Sequence, residues 1–406
     1  MKNLFRSYFE SFGGLRKEIW LLSVITLINR AGTMVIPFLS LYLTKSRGFS
    51  LEEVGWILTF FGLGSVTGSW LGGKMTDKIG HYRTMAISLI GSSFLFVLLQ
   101  FPDSFWTICL GIYLVMTVAD IFRPAVFVAI SAYSKPQNRT RSVTLIRLAI
   151  NLGFSAGPAL GGIIIATGGY SGLFWVDGLT CLAAGILLLK LLHPKRSIPE
   201  PEEIIVDAKT AISDRLYLVF IFAMMIFGFI FIQYFSTMPL YYAESHQLTE
   251  LEIGLLLGLN GLAIFLFEMP LIKFMENRKH TATGYVILGT LLSGLSFLAI
   301  NLTDWVGILM VGMLLVTLGE MIAFPFSNSF ALNRSDGKKR GSYMALYSIA
   351  FSVSHIFGHN SGMQLIDNFG FEITWYTMFG LALFACTLLL ILNSLLKKES
   401  SGVHSN

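Results

Sequence analysis

The chain has 406 residues, of which 54% are hydrophobic and only 13% are charged. Soluble globular proteins carry about 25% charged residues, so this composition excludes an ordinary soluble protein. The apolar residues fall in runs of about 20, a length that crosses the hydrocarbon core of a bilayer as a helix. The net charge of +5 needs no nucleic-acid partner, because basic residues concentrate on the cytoplasmic side of membrane proteins.

Twelve apolar runs follow one another along the chain and predict an all-α polytopic membrane protein. Residues 1–18 place apolar and basic side chains at near-helical spacing, which predicts an amphipathic segment on the cytoplasmic leaflet. A polar stretch at 193–214 predicts a cytoplasmic linker, with room for a short surface helix, between six-helix bundles at 19–192 and 215–396. Residues 397–406 are predicted to form a cytoplasmic tail. The predicted spans are 19–43, 51–74, 83–101, 105–132, 142–167, 171–192, 215–243, 251–275, 281–301, 305–331, 341–366 and 372–396.

The basic residues predict the orientation of these spans. Of the 29 Lys and Arg residues, only Lys45 and Arg47 fall in the loops that follow odd-numbered spans. Cytoplasmic loops retain positive charge, so those loops are expected outside and both termini in the cytoplasm.

The two bundles repeat one another in sequence. The stretch 50–55, SLEEVG, opens the second span, and 249–254, TELEIG, opens the eighth. Gly111 in the fourth span corresponds to Gly312 in the tenth, at an offset of 201 residues. Both bundles begin on the same side of the membrane, so the repeat is parallel and predicts a pseudo-twofold axis along the membrane normal.

The stretch GFSAGPALGG in the fifth span crowds four glycines and one proline into ten residues. Such spacing lets helix backbones approach closely, and close packing alone is one explanation of it. The stretch also resembles the antiporter signature of the drug:proton antiporters of the major facilitator superfamily, which marks mostly exporters. This resemblance implies the fold of that superfamily and proton-coupled efflux. The matching residues are Gly153, Gly157, Pro158, Gly161 and Gly162.

The loop after the second span, GGKMTDKIGHYRTM, resembles the most general motif of the same superfamily. Gly73, Asp77, Lys78 and Gly80 match it, while Arg83 stands one step later than the motif places its arginine. The resemblance implies that Gly73 lets the second and eleventh helices approach. It also implies that Asp77 lies near the N-terminus of the eleventh helix and latches the cytoplasmic side shut. A basic cytoplasmic loop with a capping Asp is the alternative.

Charged side chains inside a bilayer are costly and commonly functional. Asp120 and Arg123 lie three residues apart on one face of the fourth span, and Arg30 lies at about the same depth in the first. We predict that these three residues form a cluster in the cavity that, by the resemblance, the first, fourth, seventh and tenth helices line. An Asp beside two cations stays ionised. The alternatives are a coupling role, in which one arginine moves away, and a static pair that fixes helix packing.

Two carboxylates in the second bundle are the stronger candidates for carrying protons. Neither Glu268 nor Glu320 has a cation within one turn of its own helix, and apolar surroundings favour the protonated form of a carboxyl. Glu268 precedes Pro270, so a hydrogen bond at a helix bend is the alternative for that residue. His355 and His359 share a face of the eleventh span and offer a proton site, a zinc pair or a packed polar seam.

Further polar residues inside the spans complete the predicted substrate cavity. The chain has no Walker A loop, zinc-ligand pattern or dinucleotide fingerprint, so we expect no enzymatic activity, no cofactor and no metal. The candidate cavity residues are Asn29, Arg30, Asp120, Arg123, Arg147, Asn151, Gln233, Tyr234, Asn260, Asn328 and Asn360.

Together these features predict a proton-coupled exporter of lipophilic or amphiphilic compounds that works by alternating access. By the resemblance, it is a monomer in the cytoplasmic membrane of a bacterium, and its partners are a small-molecule substrate, protons and the bilayer. One alternative is a proton symporter that imports a sugar, a peptide or an organic acid. The other is a membrane receptor that transports nothing.

Overall fold

The computed structural model describes residues 14–135, 138–195, 208–276, 278, 280–334 and 340–402. All regular secondary structure in these residues is helical, as the sequence predicted. The predicted amphipathic segment at 1–18 lies mostly outside the described residues, as does the end of the predicted tail.

Six helices follow one another in the described residues before the linker. Helix α1 consists of two segments, Lys17–Ala31 and Val35–Leu41, and ends in a π-helical turn at Tyr42–Ser46. The others are α2 (Leu51–Ile79), α3 (His81–Leu98), α4 (Phe105–Asp120 and Phe122–Tyr133), α5 (Arg139–Gly168) and α6 (Ser171–Leu191).

Six more helices follow the linker, whose described part contains a short helix at Ala208–Ser213. The helical stretch Arg340–Gly402 turns at Gly370, where φ is +77°, so we treat 340–369 as α11 and 371–402 as α12. Glycine adopts this positive φ without the steric cost that a Cβ would bring. The others are α7 (Arg215–Ser236 and Met238–Glu244), α8 (Glu250–Glu276), α9 (Ala282–Ile300) and α10 (Gly307–Arg334).

Ten helical stretches among the described residues are long and apolar enough to cross a membrane. That count treats α11 and α12 as one stretch and omits α3. Helix α3 has 18 residues, and these include His81, Arg83 and several serines and threonines that lower its hydropathy. Counted separately, the long apolar helices of the described residues number twelve, and the predicted all-α membrane fold is confirmed.

Prolines interrupt α4 and α7. A proline lacks a backbone N–H, and its ring clashes with the carbonyl four residues before it in a helix. Pro124 therefore disrupts the helix near Asp120, where the first segment of α4 ends. Pro239 likewise follows the end of the first segment of α7 at Ser236. These breaks place irregular backbone beside the polar residues of the predicted cavity.

Residue contacts divide the chain into two compact units. The first comprises Met1–Arg47, Phe60–Pro199 and Thr249–Phe265, and so includes the first part of α8. The second comprises Gly48–Thr59, Glu200–Leu248 and Leu266–Asn406, and so includes the start of α2. Buried side chains of α1, α3, α4 and α6 form one apolar core, which contains Leu22, Leu89, Ala125 and Leu188. Those of α7, α9, α10 and α12 form the other, which contains Phe220, Val286, Ala323 and Leu389.

Candidate functional site

The glycines of α5 bring that helix against α1. A Cβ on Gly153 would lie 2.5 Å from the Cβ of Arg30, and one on Gly161 would lie 2.9 Å from the ring of Phe38. Gly157 lies between them on the same stripe, near the backbone of Ala31. Because no side chain keeps the two helices apart, their backbones pack closely along this stripe.

A second face of α5 packs against the first part of α8. A Cβ on Gly162 would lie 2.6 Å from the backbone oxygen of Glu250, and one on Gly254 would lie 2.3 Å from that of Pro158. The hydroxyl of Ser155 donates a 2.7 Å hydrogen bond to the backbone oxygen of Gly258. The signature glycines therefore form backbone contacts on two sides of one helix.

The motif predicted to form a loop lies instead at the end of α2 and the start of α3, because α2 continues to Ile79. Gly80 has a φ of +84° and makes the turn into α3, which explains a glycine at that position. The side chains of Asp77, Lys78 and Arg83 are exposed. Apart from its chain neighbours and the backbone of its own helix, no atom of the described residues lies within 4 Å of the position that a Cβ on Gly73 would take. The approach of the eleventh helix to Gly73 stays a prediction.

The three charged residues predicted to cluster do lie together. Asp120 is 3% exposed. It accepts a hydrogen bond from the hydroxyl of Ser65 and forms a 3.5 Å ion pair with Arg123. Arg30 interacts electrostatically with both Asp120 and Arg123, and its guanidinium lies over the ring of Phe154, 5.7 Å from the centroid. The sequence did not indicate Ser65, because its contact depends on the rotation of α2 toward α4.

Helices α5 and α1 carry the remaining cavity candidates of the first unit. Arg147, Asn151 and Phe154 follow one stripe of α5, because residues four and three apart share a helix face. Arg147 is exposed, and Asn151 is partly buried. The amide of Asn29 is instead buried against α6, where it donates a 3.6 Å hydrogen bond to the sulfur of Cys181.

A buried carboxylate outside the predicted site supports the break in α1. Asp177 of α6 is 0% exposed and accepts hydrogen bonds from the backbone amides of Met34 and Val35, at 2.9–3.1 Å. These amides begin the second segment of α1, where a helix lacks internal acceptors. In the sequence, two features could have indicated this contact, namely an Asp inside the sixth apolar span and Gly32 in the first.

Gln233 and Tyr234 of α7 are packed between helices in this structure, and their role in lining a substrate cavity stays a prediction. The Gln233 side chain is fully buried and donates a 2.9 Å hydrogen bond to the backbone oxygen of Gly358 in α11. The Tyr234 hydroxyl donates to the backbone oxygen of Gly312 in α10, at 3.3 Å. Helix α7 is apolar on nearly every face, so its periodicity gave no sign of which way these residues point.

Glu320 of α10 is 8% exposed and interacts electrostatically with Tyr234. Glu268 and Asn260 of α8 are partly buried, whereas Asn328 of α10 is exposed. The four residues are divided between these two helices.

The polar residues of α11 form a short seam. His355 is partly buried and His359 is 4% exposed, with ring centroids 5.8 Å apart. The amide nitrogen of Asn360 is buried without a hydrogen-bond partner among the described residues. In that part of the chain, no group of three or more His, Cys, Asp or Glu side chains is arranged to hold a metal ion.

The chain is similar to known bacterial transporters. An uncharacterized MFS-type transporter of Bacillus subtilis, YqjV, is 25% identical over 86% of this chain and 87% of its own. A Na(+), Li(+), K(+)/H(+) antiporter of Planococcus maritimus is 22% identical over 86% and 89% of the two chains. The quinolone resistance protein NorA of Staphylococcus aureus is 24% identical over 93% and 97%.

Solved structures share the fold. A crystal structure of the peptide transporter POT in complex with sulfate aligns over 95% of this chain and 96% of its own, with a TM-score of 0.79 and 16% identity. One of the nucleoside transporter NupG aligns over 93% and 99%, with a TM-score of 0.77 and 13% identity. The family model of the Major Facilitator Superfamily matches residues 19–359. The chain therefore belongs to the major facilitator superfamily of membrane transporters.

Proposed function

We propose that this transporter exports small lipophilic or amphiphilic compounds in exchange for protons. It works as a monomer in the cytoplasmic membrane of a bacterium, with both termini in the cytoplasm. The distribution of Lys and Arg supports this orientation, because Lys45 and Arg47 are the only basic residues in the loops assigned to the outside.

The observation that carries the proposal is the double contact of α5. Its glycines pack on the backbone of α1 along one stripe and on that of α8 along another. Backbone contacts of this kind separate and re-form without repacking large side chains. The resemblance of this stretch to the antiporter signature, and the names of the antiporter and NorA relatives, favour export coupled to protons.

The proposed cycle couples substrate and protons through a carboxylate inside the membrane. Glu320 is the main candidate, because it is buried and interacts electrostatically with Tyr234. Glu268 is the second. Asp120 is a poorer candidate, because it is already hydrogen-bonded to Ser65 and paired with Arg123. Protonation favours a conformation open to one side of the membrane, and substrate binding favours the conformation open to the other side. The flow of protons therefore drives the flow of substrate in the opposite direction.

The test is proton release in proteoliposomes that hold the purified protein. A lipophilic substrate added to liposomes with an acidic lumen should collapse the pH gradient, monitored with a pH-sensitive dye. We expect Glu320→Gln to abolish this coupled flux while the variant still binds the substrate. Glu372→Gln, an exposed glutamate at the start of α12, is the matched control and should retain the flux.

Two results would contradict the proposal. Accumulation of a sugar, peptide or organic acid in the direction of proton flow would identify an importing symporter. Unchanged coupling in Glu320→Gln and in Glu268→Gln would remove both candidate proton carriers.

A further inference from the structure

We propose that the exported compound carries an anionic group, a carboxylate, sulfonate or phosphonate, that binds between Arg30 and Arg123. This inference rests on the proposed function and specifies the class of its substrate. Arg147 is the third basic residue of the path, on the cytoplasmic side of the other two.

The charges of the cluster do not balance. Arg30 and Arg123 contribute two positive charges and Asp120 one negative charge, so the group retains a net charge of +1 inside the bilayer. An unbalanced charge is expensive in a medium of low polarity, and a substrate of opposite charge removes that cost. Asp177 is not a member of this cluster, since its carboxylate accepts hydrogen bonds from the backbone of α1 and is not paired with Arg30 or Arg123.

Arg30 has hydrogen-bonding capacity to spare. Its Nε is buried, and no hydrogen-bond acceptor for it lies among the described residues. One face of the guanidinium lies over Phe154, which leaves its donor edge directed away from the ring. A planar or tetrahedral oxyanion matches the fork of donors that such an edge presents. Phe154 offers an apolar surface beside it for the lipophilic part of the same molecule.

The three arginines lie at graded depths. Arg147 is 8 residues from the start of α5, about 12 Å along the helix axis. Arg123 is 10 residues from the end of α4, about 15 Å, and Arg30 is 13 residues from the start of α1, about 20 Å. All three distances are measured from the ends that we assign to the cytoplasm. An anion that enters from that side meets positive charge at each successive depth.

Asp120 acts as an internal competitor for the same guanidinium groups. Its ion pair with Arg123 is 3.5 Å long, longer than a strong charge-assisted hydrogen bond, and 56% of the Arg123 side chain is exposed. Arg123 is therefore able to exchange the carboxylate of Asp120 for that of a ligand. The arrangement predicts that removing the charge of Asp120 strengthens anion binding, whereas a merely structural cluster would gain nothing from that change.

The binding test uses three probes with one apolar body, namely 2-naphthalenesulfonate, 2-naphthalenemethanol and 2-naphthylmethylammonium. We expect the purified protein to bind the sulfonate most tightly by calorimetric titration. Arg123→Gln and Arg30→Gln should each weaken sulfonate binding about tenfold or more, and Asp120→Asn should strengthen it several-fold. Arg278→Gln is the matched control, because Arg278 also lies over a phenylalanine, Phe274, but outside the cluster.

Equal sulfonate affinity in the wild type and in Arg123→Gln would overturn the inference, as would tighter binding of the ammonium probe. If Arg30→Gln fails to fold, Arg123→Gln and Asp120→Asn decide the question by their opposite expected effects. Inorganic sulfate is the remaining control. Sulfate that binds as tightly as the sulfonate, with the same dependence on Arg123, would show a site for free anions and would also overturn the inference.

A transport measurement separates this inference from the proposed function. Proton-coupled efflux of the ammonium probe but not of the sulfonate would leave the proposed function intact and refute the anionic substrate. Arginine-dependent binding of the sulfonate without coupled proton flux would support the anion site and refute proton-coupled export.

Discussion

Asp177 is fully buried, and its carboxylate accepts hydrogen bonds from the backbone of another helix. Its two carboxylate oxygens accept from the amides of Met34 and Val35. Gly32 makes this contact possible, because a Cβ there would lie 1.8 Å from the hydroxyl oxygen of Thr180. The break in α1 therefore depends on one acceptor and one missing side chain.

We expect Asp177→Ala to destabilise the protein by about 2 kcal/mol or more, because two buried amides lose their acceptor. Asp177→Asn keeps one acceptor oxygen and should lose less. The measurement is thermal unfolding in detergent. Asp77→Ala serves as the control, since Asp77 is exposed and should be replaced at little cost. An unchanged unfolding temperature in Asp177→Ala would show that water or another group satisfies these amides.

A second carboxylate network joins helix ends within the second unit. Asp214 caps α7 through the amide of Tyr217 and accepts from Arg334 at 2.8 Å and from the hydroxyl of Tyr343 at 3.1 Å. Burial raises the pKa of the Asp214 carboxyl, but the bonds from Arg334, Tyr217 and Tyr343 outweigh burial and hold the pKa below its usual value of 3.8. The charged form is thus favoured by folding.

This lowered pKa predicts a pH-dependent contribution to stability. The contribution is fully present above about pH 4, and it disappears as the pH falls through the lowered pKa of the folded state. We expect Asp214→Asn to be less stable than the wild type at neutral pH and to lose less stability on acidification. Unfolding temperatures between neutral and acid pH measure both effects. Parallel curves for the two proteins would contradict the assignment.

At the scale of whole elements, glycines decide which helices touch. Gly64, Gly68 and Gly72 recur every fourth residue on α2 and face α4. A Cβ on Gly68 would lie 2.2 Å from the backbone oxygen of Thr117. Gly73, the next residue after this stripe, has open space beside it. One helix therefore carries both a glycine that packs against a neighbouring helix and a glycine with open space beside it.

We expect Gly68→Ala to force α2 and α4 apart and to cost about 1–3 kcal/mol of stability. Gly73→Ala should leave the unfolding temperature unchanged. If Gly73 serves conformational change, as its motif implies, that variant should nevertheless transport more slowly. Thermal unfolding and transport rate are measured on both variants. A destabilised Gly73→Ala variant would show that this glycine packs against a neighbour in the folded state and does not serve conformational change alone.

At the scale of the whole molecule, hydrophobic length and charge were sufficient to predict the twelve helices, because a bilayer requires long apolar runs with basic loops on one side. The proximity of Arg30, Asp120 and Arg123 also followed from their depth. The contacts of Asp177 and Gln233 could not be predicted from the sequence, because they depend on how each helix is rotated about its axis. In helices that are apolar on most faces, no polar stripe shows which side meets a neighbour.

The contact between α5 and α8 provides a test of transport by the whole molecule. Release of substrate on the outer side requires these helices to separate, if the proposed exchange is correct. A Cβ on Gly258 would lie 2.9 Å from the Cβ of Ala159. Since disulfides span Cβ distances of about 3.5–4.5 Å, a small shift would let a cysteine pair close there.

We expect oxidation of the double variant Ala159→Cys with Gly258→Cys to form a disulfide and to reduce transport to background. A reductant should restore it, because the bond alone holds the helices together. Each single variant and the wild type, whose Cys109, Cys181 and Cys386 are buried and unpaired, should be insensitive to the oxidant. A fully crosslinked protein that transports at the uncrosslinked rate would show that α5 and α8 stay together throughout the cycle. The opening would then have to occur between other helices, and the glycines of α5 would serve packing alone.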